Sequence, residues 1–268
     1  MTVSAPDLLA AIVAATRARV ATARAREPLD VVEGRAAARK PRGSAFAEAL
    51  RRPAQVNIIA ECKRRSPSRG VLRAAYDPFA IALAYERGGA AALSVLTEPT
   101  FFDGCLTHLS AVREAVETPL LRKDFIVDAY QVAEAAAAGA DAILIIVAAI
   151  DDATLAALMR DASGRGLAAL VEVHTEEELD RALSCGAEIV GVNNRSLRTL
   201  AVDVDVSERL AARIPDSVTA VSESGLRTPA ELARFSSLGY RAFLIGERFM
   251  TTPDPGAALA DLLPGQSR

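Results

Sequence analysis

Charged side chains stand at the ends of several apolar runs in this chain. The run 56–60 ends in Glu61 and Lys63, and the run 167–171 ends in Glu172. A lysine beside a carboxylate suits general acid–base chemistry, because the ammonium gives a proton and the carboxylate accepts one. Four more runs end in polar groups or glycine: Lys123, Asn193 with Arg195, Glu223 with Ser224 and Gly225, and Gly246 with Glu247. We therefore predict one active site built from strand ends.

A weak repeat indicates the architecture that brings these ends together. Four glycines each follow a helical pattern and precede an apolar run, at spacings of 50, 47 and 53 residues: Gly89, Gly139, Gly186 and Gly239. We predict that they end helices, since glycine enters the left-handed region without strain. A further apolar run lies midway between copies, so each copy holds two strand–helix units. Four copies predict an α/β fold, a single (β/α)8 TIM barrel whose C-terminal strand ends share one mouth.

The whole chain, 1–268, is predicted to be a single domain, with an N-terminal helical extension over 1–53 and the barrel over 54–264. In the extension, Ser4-x-x-Asp7 predicts the start of a helix that runs to about Arg26, and a second helix is predicted over 44–51. We expect these helices to close the bottom of the barrel or to flank its mouth. Two capping boxes predict later helix starts: Thr175 with Glu178, and Thr228 with Glu231.

The composition argues against several classes of function. The net charge is -3, aromatic residues make up 4% and tryptophan is absent, which argues against a nucleic-acid partner. Three cysteines without CxxC spacing and two histidines argue against a disulfide framework or a metal site. No apolar stretch reaches the roughly 20 residues of a membrane span. We expect a cytoplasmic protein, a monomer or weak homodimer, that binds a small molecule and neither nucleic acid nor membrane.

Glycines after the seventh and eighth predicted strands indicate a phosphate site. Ser224-Gly225 and Gly246-Glu247 put backbone N–H groups where this fold often binds phosphate. Aligned N–H donors at a helix start favour an anion. Gly225 alone would be read as an ordinary turn glycine. The pair of motifs instead favours a phosphorylated small-molecule substrate.

Two lysines and two glutamates are the candidates for proton transfer. Lys63 and Lys123 are two of the few lysines in an arginine-rich chain, and each suits a phosphate contact, a general acid or a Schiff base. Glu61 and Glu172 close apolar strands and cannot stay buried unpaired, so they are either structural ion-pair partners or acid–base groups. His174 lies just beyond Glu172; we predict that it points away from the mouth and leave it out of the site.

Seven ordered motifs resemble a known family. They cover residues 58–68, 93–104, 121–125, 170–174, 191–195, 222–225 and 244–247. Together they resemble the indole-3-glycerol-phosphate synthase family over about residues 5 to 263. The resemblance implies a substrate, 1-(2-carboxyphenylamino)-1-deoxyribulose 5-phosphate, which is cyclised to indole-3-glycerol phosphate with loss of carbon dioxide and water. It also implies that no cofactor takes part, and that the enzyme is a lyase of tryptophan biosynthesis.

The resemblance further implies roles for individual residues. Lys123 is the expected general acid on the ketone oxygen and Glu172 the expected base. Glu61 is expected to act in the dehydration and to orient the lysines. Lys63 is expected to bind an anionic group of the substrate, with late proton donation as a possible second role. Asn193 and Glu223 complete the expected catalytic set. Ser66 and Arg195, together with Asn193, are expected to orient the anthranilate portion, and Pro67 is a further expected substrate-binding residue. Ser224, Gly225, Gly246 and Glu247 are expected to hold the phosphate, and Phe102, Phe125, Leu144 and Leu197 to make apolar contacts.

Two alternatives remain open from the residues alone. A Schiff-base aldolase on the same barrel would use Lys123 to form an imine with a ketose phosphate. A phosphate-ligand sensor or scaffold would keep the fold without turnover. Intact Glu61, Lys123 and Glu172 argue against the sensor, because a protein that has lost its activity commonly loses one such group.

Overall fold

Eight parallel strands close into a barrel in the computed structural model, which describes residues 7–53 and 55–263. The strands are β1 Asn57–Cys62, β2 Ala92–Leu96, β3 Leu120–Lys123, β4 Ala142–Ile146, β5 Ala168–Val173, β6 Ile189–Asn193, β7 Thr219–Glu223 and β8 Ala242–Ile245. Each strand pairs with the next in chain order, and β8 pairs with β1. The predicted (β/α)8 barrel is confirmed. Ser4, where the first helix was predicted to open, and positions 54 and 264 lie outside the described residues.

Helices follow every strand, and most begin at a side chain that caps the first turn. They are α4 Pro78–Arg87, α5 Pro99–Phe102, α6 Leu106–Ala115, α7 Ala129–Ala138, α8 Asp152–Gly164, α9 Glu176–Ser184, α10 Asp205–Ala211, α11 Pro229–Ser237, α12 Glu247–Met250 and α13 Pro255–Ala260. Asp77, Asp128 and Asp151 accept N–H bonds at the starts of α4, α7 and α8. Such caps satisfy donors that the helix itself leaves free.

The repeated glycines lie at the ends of helices, as predicted. Gly89, Gly139, Gly186 and Gly239 have φ values of 90°, 91°, 84° and 104°. Gly139 is itself the cap of α7, and the other three follow the cap by one residue. This left-handed turn sends the chain from each helix back into the next buried strand.

One of the two predicted capping boxes is complete and the other is half formed. At the start of α11, Thr228 accepts from the N–H of Glu231, and the Glu231 carboxylate accepts from the N–H of Thr228. At α9, Thr175 accepts from the N–H of Glu178. The Glu178 carboxylate reaches one residue further back, however, and accepts from the N–H of His174 at 2.7 Å. The reciprocal half of that box is therefore wrong, and Glu178 bonds to His174 instead.

Three helices precede the barrel: α1 Leu8–Arg26, α2 Leu29–Ala37 and α3 Gly43–Ala49. Helix α2 packs on α7 and was not predicted from the sequence. Helix α3 closes the bottom of the barrel, where Phe46 is fully buried against the interior residues of the strands. Gly43 donates to the carbonyl of Gly166 at 2.9 Å, and a Cβ at Gly43 would clash with that backbone.

Helix α1 lies at the opposite end, over the mouth. Its Arg19 bonds to the buried Asp124 at 2.7 Å, next to Lys123 at the end of β3. Leu8 and Ile12, one helical turn apart, face the cavity in the mouth. The two positions proposed for the extension are thus both occupied, each by a different helix. Within the described residues, no helix has the length and apolar content that crossing a membrane would require.

Candidate active site

A cavity of about 560 Å³ opens at the C-terminal ends of the strands. It is lined by every residue that the sequence analysis named for the site: Glu61, Lys63, Ser66, Pro67, Phe102, Lys123, Phe125, Leu144, Glu172, Asn193, Arg195, Leu197, Glu223, Ser224, Gly225, Gly246 and Glu247. The barrel brings them together because all except Leu144, which lies within β4, are at or beyond the end of a strand, and parallel strands all end at one mouth.

Lys123 lies between two buried carboxylates on the floor of the cavity. Its Nζ is 3.0 Å from Oε2 of Glu172 and 3.3 Å from Oε2 of Glu223. Both glutamate side chains are 1% exposed, so water does little to screen these contacts. Lys123 and Glu223 end β3 and β7, and Glu172 is the last residue but one of β5; inward side chains of these alternate strands share a layer of the barrel.

The protonation states of these three groups differ. Burial lowers the pKa of the Lys123 ammonium, but Glu172 and Glu223 outweigh burial and raise that pKa above its usual range. Burial raises the pKa of Glu172, while Lys123 and His174 hold it below its usual value. Burial and the neighbouring charge of Glu172 raise the pKa of Glu223 to about 8. Near neutral pH, Lys123 is therefore a cation, Glu172 an anion and Glu223 a neutral acid.

Lys63 has a carboxylate of its own. It forms an ion pair with Glu61 at the end of β1, where Glu61 is buried and Lys63 is partly exposed to the cavity. The site therefore contains two separate lysine–glutamate groups.

Gly246 lies against Glu61, which gives a second reason for a glycine at this position. A Cβ on Gly246 would lie 2.9 Å from Cβ of Glu61 and would also overlap its carboxylate. Gly246 therefore leaves room for a candidate catalytic side chain as well as for the phosphate that the sequence suggested. Gly191 on β6, which the sequence analysis did not single out, similarly leaves room for the Glu223 carboxylate.

Replacing Gly246 with alanine is expected to lower kcat by about one to two orders of magnitude, with a smaller rise in KM. The added methyl group pushes Glu61 aside, and misplacement of a reacting group by about 1 Å can cost about a hundredfold. Steady-state kinetics with the substrate proposed below would measure both constants. Gly164→Ala is the matched control, because Gly164 is exposed on α8 and a Cβ there meets nothing within 4 Å. A rise in KM with unchanged kcat would limit Gly246 to ligand approach.

The loop after β7 has an unusual backbone conformation. Ser224 has φ 66° and Gly225 has φ 90°, so two consecutive residues are left-handed. A non-glycine residue held in this region is uncommon and often marks a functional site. The Ser224 hydroxyl donates to Oδ1 of Asn193 at 2.9 Å, which leaves the backbone N–H groups of the loop as the candidate phosphate donors.

Arg195 and Glu247 contact each other at the rim. Nη2 of Arg195 is 3.2 Å from Oε2 of Glu247, and Nη1 donates to the carbonyl of Leu200 at 3.0 Å. Leu200 has φ 61°, an unusual conformation for a bulky residue. Arg69, from the loop after β1, approaches Oε1 of Glu247 at 3.6 Å. Two arginines thus neutralise Glu247, whose carboxylate would otherwise repel an anion.

Apolar side chains form the other wall of the cavity. Phe102 and Phe125 lie with ring centroids 6.2 Å apart, within the range of aromatic pairs. Leu144 and Leu197 extend this wall. The sequence analysis missed Leu8 and Ile12 of α1, which also line the cavity; their spacing of four residues was the available signal.

His174 does not line the cavity, but its side chain faces Glu172 and does not point away from the site as predicted. His174 is two residues beyond Glu172, so strand alternation puts both side chains on the same side of β5. Its Nε2 lies 3.5 Å from Oε1 of Glu172, and its Nδ1 lies 3.1 Å from Oε2 of Glu178. Burial lowers the pKa of His174, but the bond to Glu178 and the charge of Glu172 raise it above its usual value.

The fold and the site together define a (β/α)8-barrel enzyme with lysine–glutamate ion pairs in its mouth. The family model of indole-3-glycerol phosphate synthase matches residues 9–262. Two relatives bear the same name. The one from Azospirillum brasilense is 47% identical and covers 96% of this chain and 99% of its own, and the one from Mycolicibacterium smegmatis is 48% identical and covers 97% and 95%. The chain belongs to the indole-3-glycerol phosphate synthase family.

Solved structures with low sequence identity share the fold. A 3-hexulose-6-phosphate synthase matches with a TM-score of 0.61 at 16% identity, and covers 77% of this chain and 98% of its own. A thiamine phosphate pyrophosphorylase from Pyrococcus furiosus matches with a TM-score of 0.59 at 14% identity, and covers 77% and 93%. At this level of identity they show the barrel architecture alone.

Proposed function

We propose that this chain is a carboxy-lyase of tryptophan biosynthesis. It converts 1-(2-carboxyphenylamino)-1-deoxyribulose 5-phosphate to indole-3-glycerol phosphate, carbon dioxide and water. Membership of the family over nearly the whole chain supports the reaction. The observation that carries the assignment of roles is the position of Lys123, a cation between an ionised and a protonated glutamate on the cavity floor.

The two ends of the cavity match the two ends of this substrate. The glycine-rich rim, with Ser224, Gly225 and Gly246, suits the phosphate, and the wall with Phe102 and Phe125 suits the aromatic ring. The ketone lies between these ends, within reach of the lysines and glutamates. A site that folds a flexible substrate so that its ring approaches its own ketone lowers the barrier through proximity.

In the proposed ring closure, the aromatic carbon that bears the carboxylate attacks the ketone carbon. The carbonyl electrons move to oxygen, which takes a proton from Lys123. Carbon dioxide then leaves, and the electrons of the broken carbon–carbon bond restore the aromatic ring. Glu223, which holds a proton and lies 3.3 Å from Lys123, is suited to resupply this lysine.

The proposed dehydration uses the second group. The new hydroxyl takes a proton from Lys63 and leaves as water, while Glu61 holds Lys63 in place. Glu172 takes a proton from the adjacent methylene, and the electrons of that C–H bond form the double bond of the indole. The proton on Glu172 can return to Glu223 through Lys123, which lies 3.0 Å from Glu172 and 3.3 Å from Glu223, and one proton from solvent restores Lys63.

The aldolase alternative is disfavoured by the surroundings of Lys123. A Schiff base requires the free amine, which enzymes obtain by desolvating a lysine or by placing it beside another cation. Lys123 instead faces Glu172 and Glu223, and its pKa is raised above its usual range. The ammonium form suits a proton donor.

Incubation of the protein with the carboxyphenylamino substrate tests the proposal. Indole fluorescence should rise with time, and the background is low because the chain contains no tryptophan. Inorganic phosphate should compete weakly with substrate. Trapping by borohydride in the presence of a ketose phosphate would support the aldolase instead, and substrate binding without any product would support a sensor. Either outcome overturns the proposed activity.

A further inference from the structure

His174 is a half-buried side chain that the proposed reaction steps do not use. It directly follows β5, it is 13% exposed, and it stands beside Glu172 without lining the cavity. Lys123 contacts one oxygen of Glu172, Oε2, at 3.0 Å, and His174 faces the other oxygen, Oε1. The carboxylate proposed as the base is therefore flanked by a lysine on one side and a histidine on the other.

Glu178 fixes the orientation of His174. Oε2 of Glu178 accepts both the backbone N–H of His174, at 2.7 Å, and a bond from the ring at Nδ1, at 3.1 Å. Glu178 lies in the first turn of α9, immediately after the loop that holds His174. Within the described part of the chain, Nε2 of His174 and Oε1 of Glu172 have no hydrogen-bond partner.

The charges around the imidazole favour its cationic form. Glu178 on α9 faces Nδ1, and Glu172 on β5 faces Nε2, while Glu223 on β7 contributes a further, weaker attraction. Lys123 lies across Glu172, on its other oxygen. A neutral ring would turn a lone pair toward one of its two carboxylates, whereas an imidazolium donates toward both.

We propose that His174 is a positioning residue, an imidazolium anchored by Glu178 that holds Oε1 of Glu172 in place. This inference rests on the proposed role of Glu172 as the base. Glu172 then keeps one orientation toward the substrate, because both of its oxygens face cations. The same positive charge keeps Glu172 ionised at lower pH than Lys123 alone would allow.

The protonation state can be measured without any activity. The chain has two histidines, so isotope labelling of histidine gives two sets of NMR ring signals, and His174→Asn assigns them. We expect His174 to titrate above the usual histidine pKa and His108 below it, since burial and Arg64 lower the pKa of His108. Glu178→Gln should move the titration of His174 downward and leave His108 in place. A neutral His174 at pH 6 would overturn the proposal.

Two substitutions separate orientation from charge. His174→Gln puts an amide near the position of Nε2, facing Glu172, whereas His174→Asn keeps only a group near the position of Nδ1, facing Glu178. We expect His174→Asn to lower kcat about tenfold with little change in KM, because Glu172 loses its orientation. His174→Gln should recover kcat to within about threefold of the unmodified enzyme. Both variants should move the acid limb of kcat/KM to higher pH, since both remove the positive charge.

The matched control is Glu176→Gln. It removes a negative charge from the same turn of α9, but Glu176 forms its ion pair with Arg213 and not with His174. It should change neither kcat nor the pH profile. If His174→Asn folds and keeps the kcat and the pH profile of the unmodified enzyme, His174 has no positioning role, although the proposed activity stands. If the unmodified enzyme does not turn over the substrate, the proposed function fails, and the NMR titration still shows whether the imidazolium exists.

Discussion

Replacing Lys123 with methionine is expected to lower kcat by about three orders of magnitude while KM changes little. Lys123 is proposed to give its proton to the ketone oxygen as the ring closes, so its charge matters most in the transition state. An interaction made only in the transition state appears in kcat and not in KM. Steady-state assays by indole fluorescence would measure both constants. Methionine keeps an apolar stem of similar length, so the packing around the stem is retained.

Lys63→Met is the variant with which Lys123→Met should be compared. Lys63 forms its ion pair with Glu61 and contacts neither Glu172 nor Glu223. Besides giving a proton in the dehydration, it is expected to bind an anionic group of the substrate that is present before and during the reaction. Its loss should raise KM clearly and lower kcat less than the loss of Lys123. If Lys63→Met abolishes turnover while Lys123→Met retains most of it, the two roles are reversed. Circular dichroism must accompany both variants, because Lys123→Met leaves two buried glutamates without their cation.

The barrel was predictable because its signals are local and repeated. Apolar runs indicate strands that are buried on both faces. A glycine such as Gly139 ends a helix because its own backbone adopts the left-handed conformation, which does not depend on distant contacts. Strand order then follows from parallel pairing. The polar strand ends had to share the mouth, so the charged and polar residues named for the cavity were predictable from one pattern.

The remaining features depend on contacts that a linear pattern does not contain. Helix α2 has only nine residues and no side-chain cap at its start, and it is stabilised by packing on α7. The sequence predicts Glu178 as half of a capping box, yet its carboxylate accepts from the N–H of His174 instead of that of Thr175. Gly246 reads as a phosphate glycine, and its closest neighbour is Glu61 on the adjacent strand. His174 was misjudged at the sequence level, since a correct count of strand alternation already aligns it with Glu172.

Glu172 and Glu223 occupy similar positions in the sequence, but their surroundings in the structure differ. Glu172 and Glu223 both lie at strand ends and both contact Lys123, yet Glu172 has His174 beside it as well. The extra positive neighbour holds the pKa of Glu172 down, and the charge of Glu172 then helps to raise the pKa of Glu223 to about 8. One cation shared by two carboxylates thus favours a base and an acid in the same site.

Glu172→Gln is therefore expected to lower kcat by about two to four orders of magnitude, the usual contribution of a general base. Glutamine keeps the shape and the hydrogen bonding but cannot accept the proton. Glu223→Gln is the matched comparison, because glutamine resembles the protonated acid that Glu223 already is near neutral pH. It should cost less than about tenfold in kcat, since proton resupply is only one of its contributions.

The pH profiles distinguish the two glutamates further. In the unmodified enzyme, activity should fall as pH rises through about 8, because Glu223 then loses its proton. Glu223→Gln should remove this basic limb, since glutamine does not ionise. The low pKa of Glu172 puts the acid limb below neutrality, because activity is lost only when this base becomes protonated. A kcat loss below tenfold in Glu172→Gln, together with a far larger loss in Glu223→Gln, would make Glu223 the base and contradict the assignment.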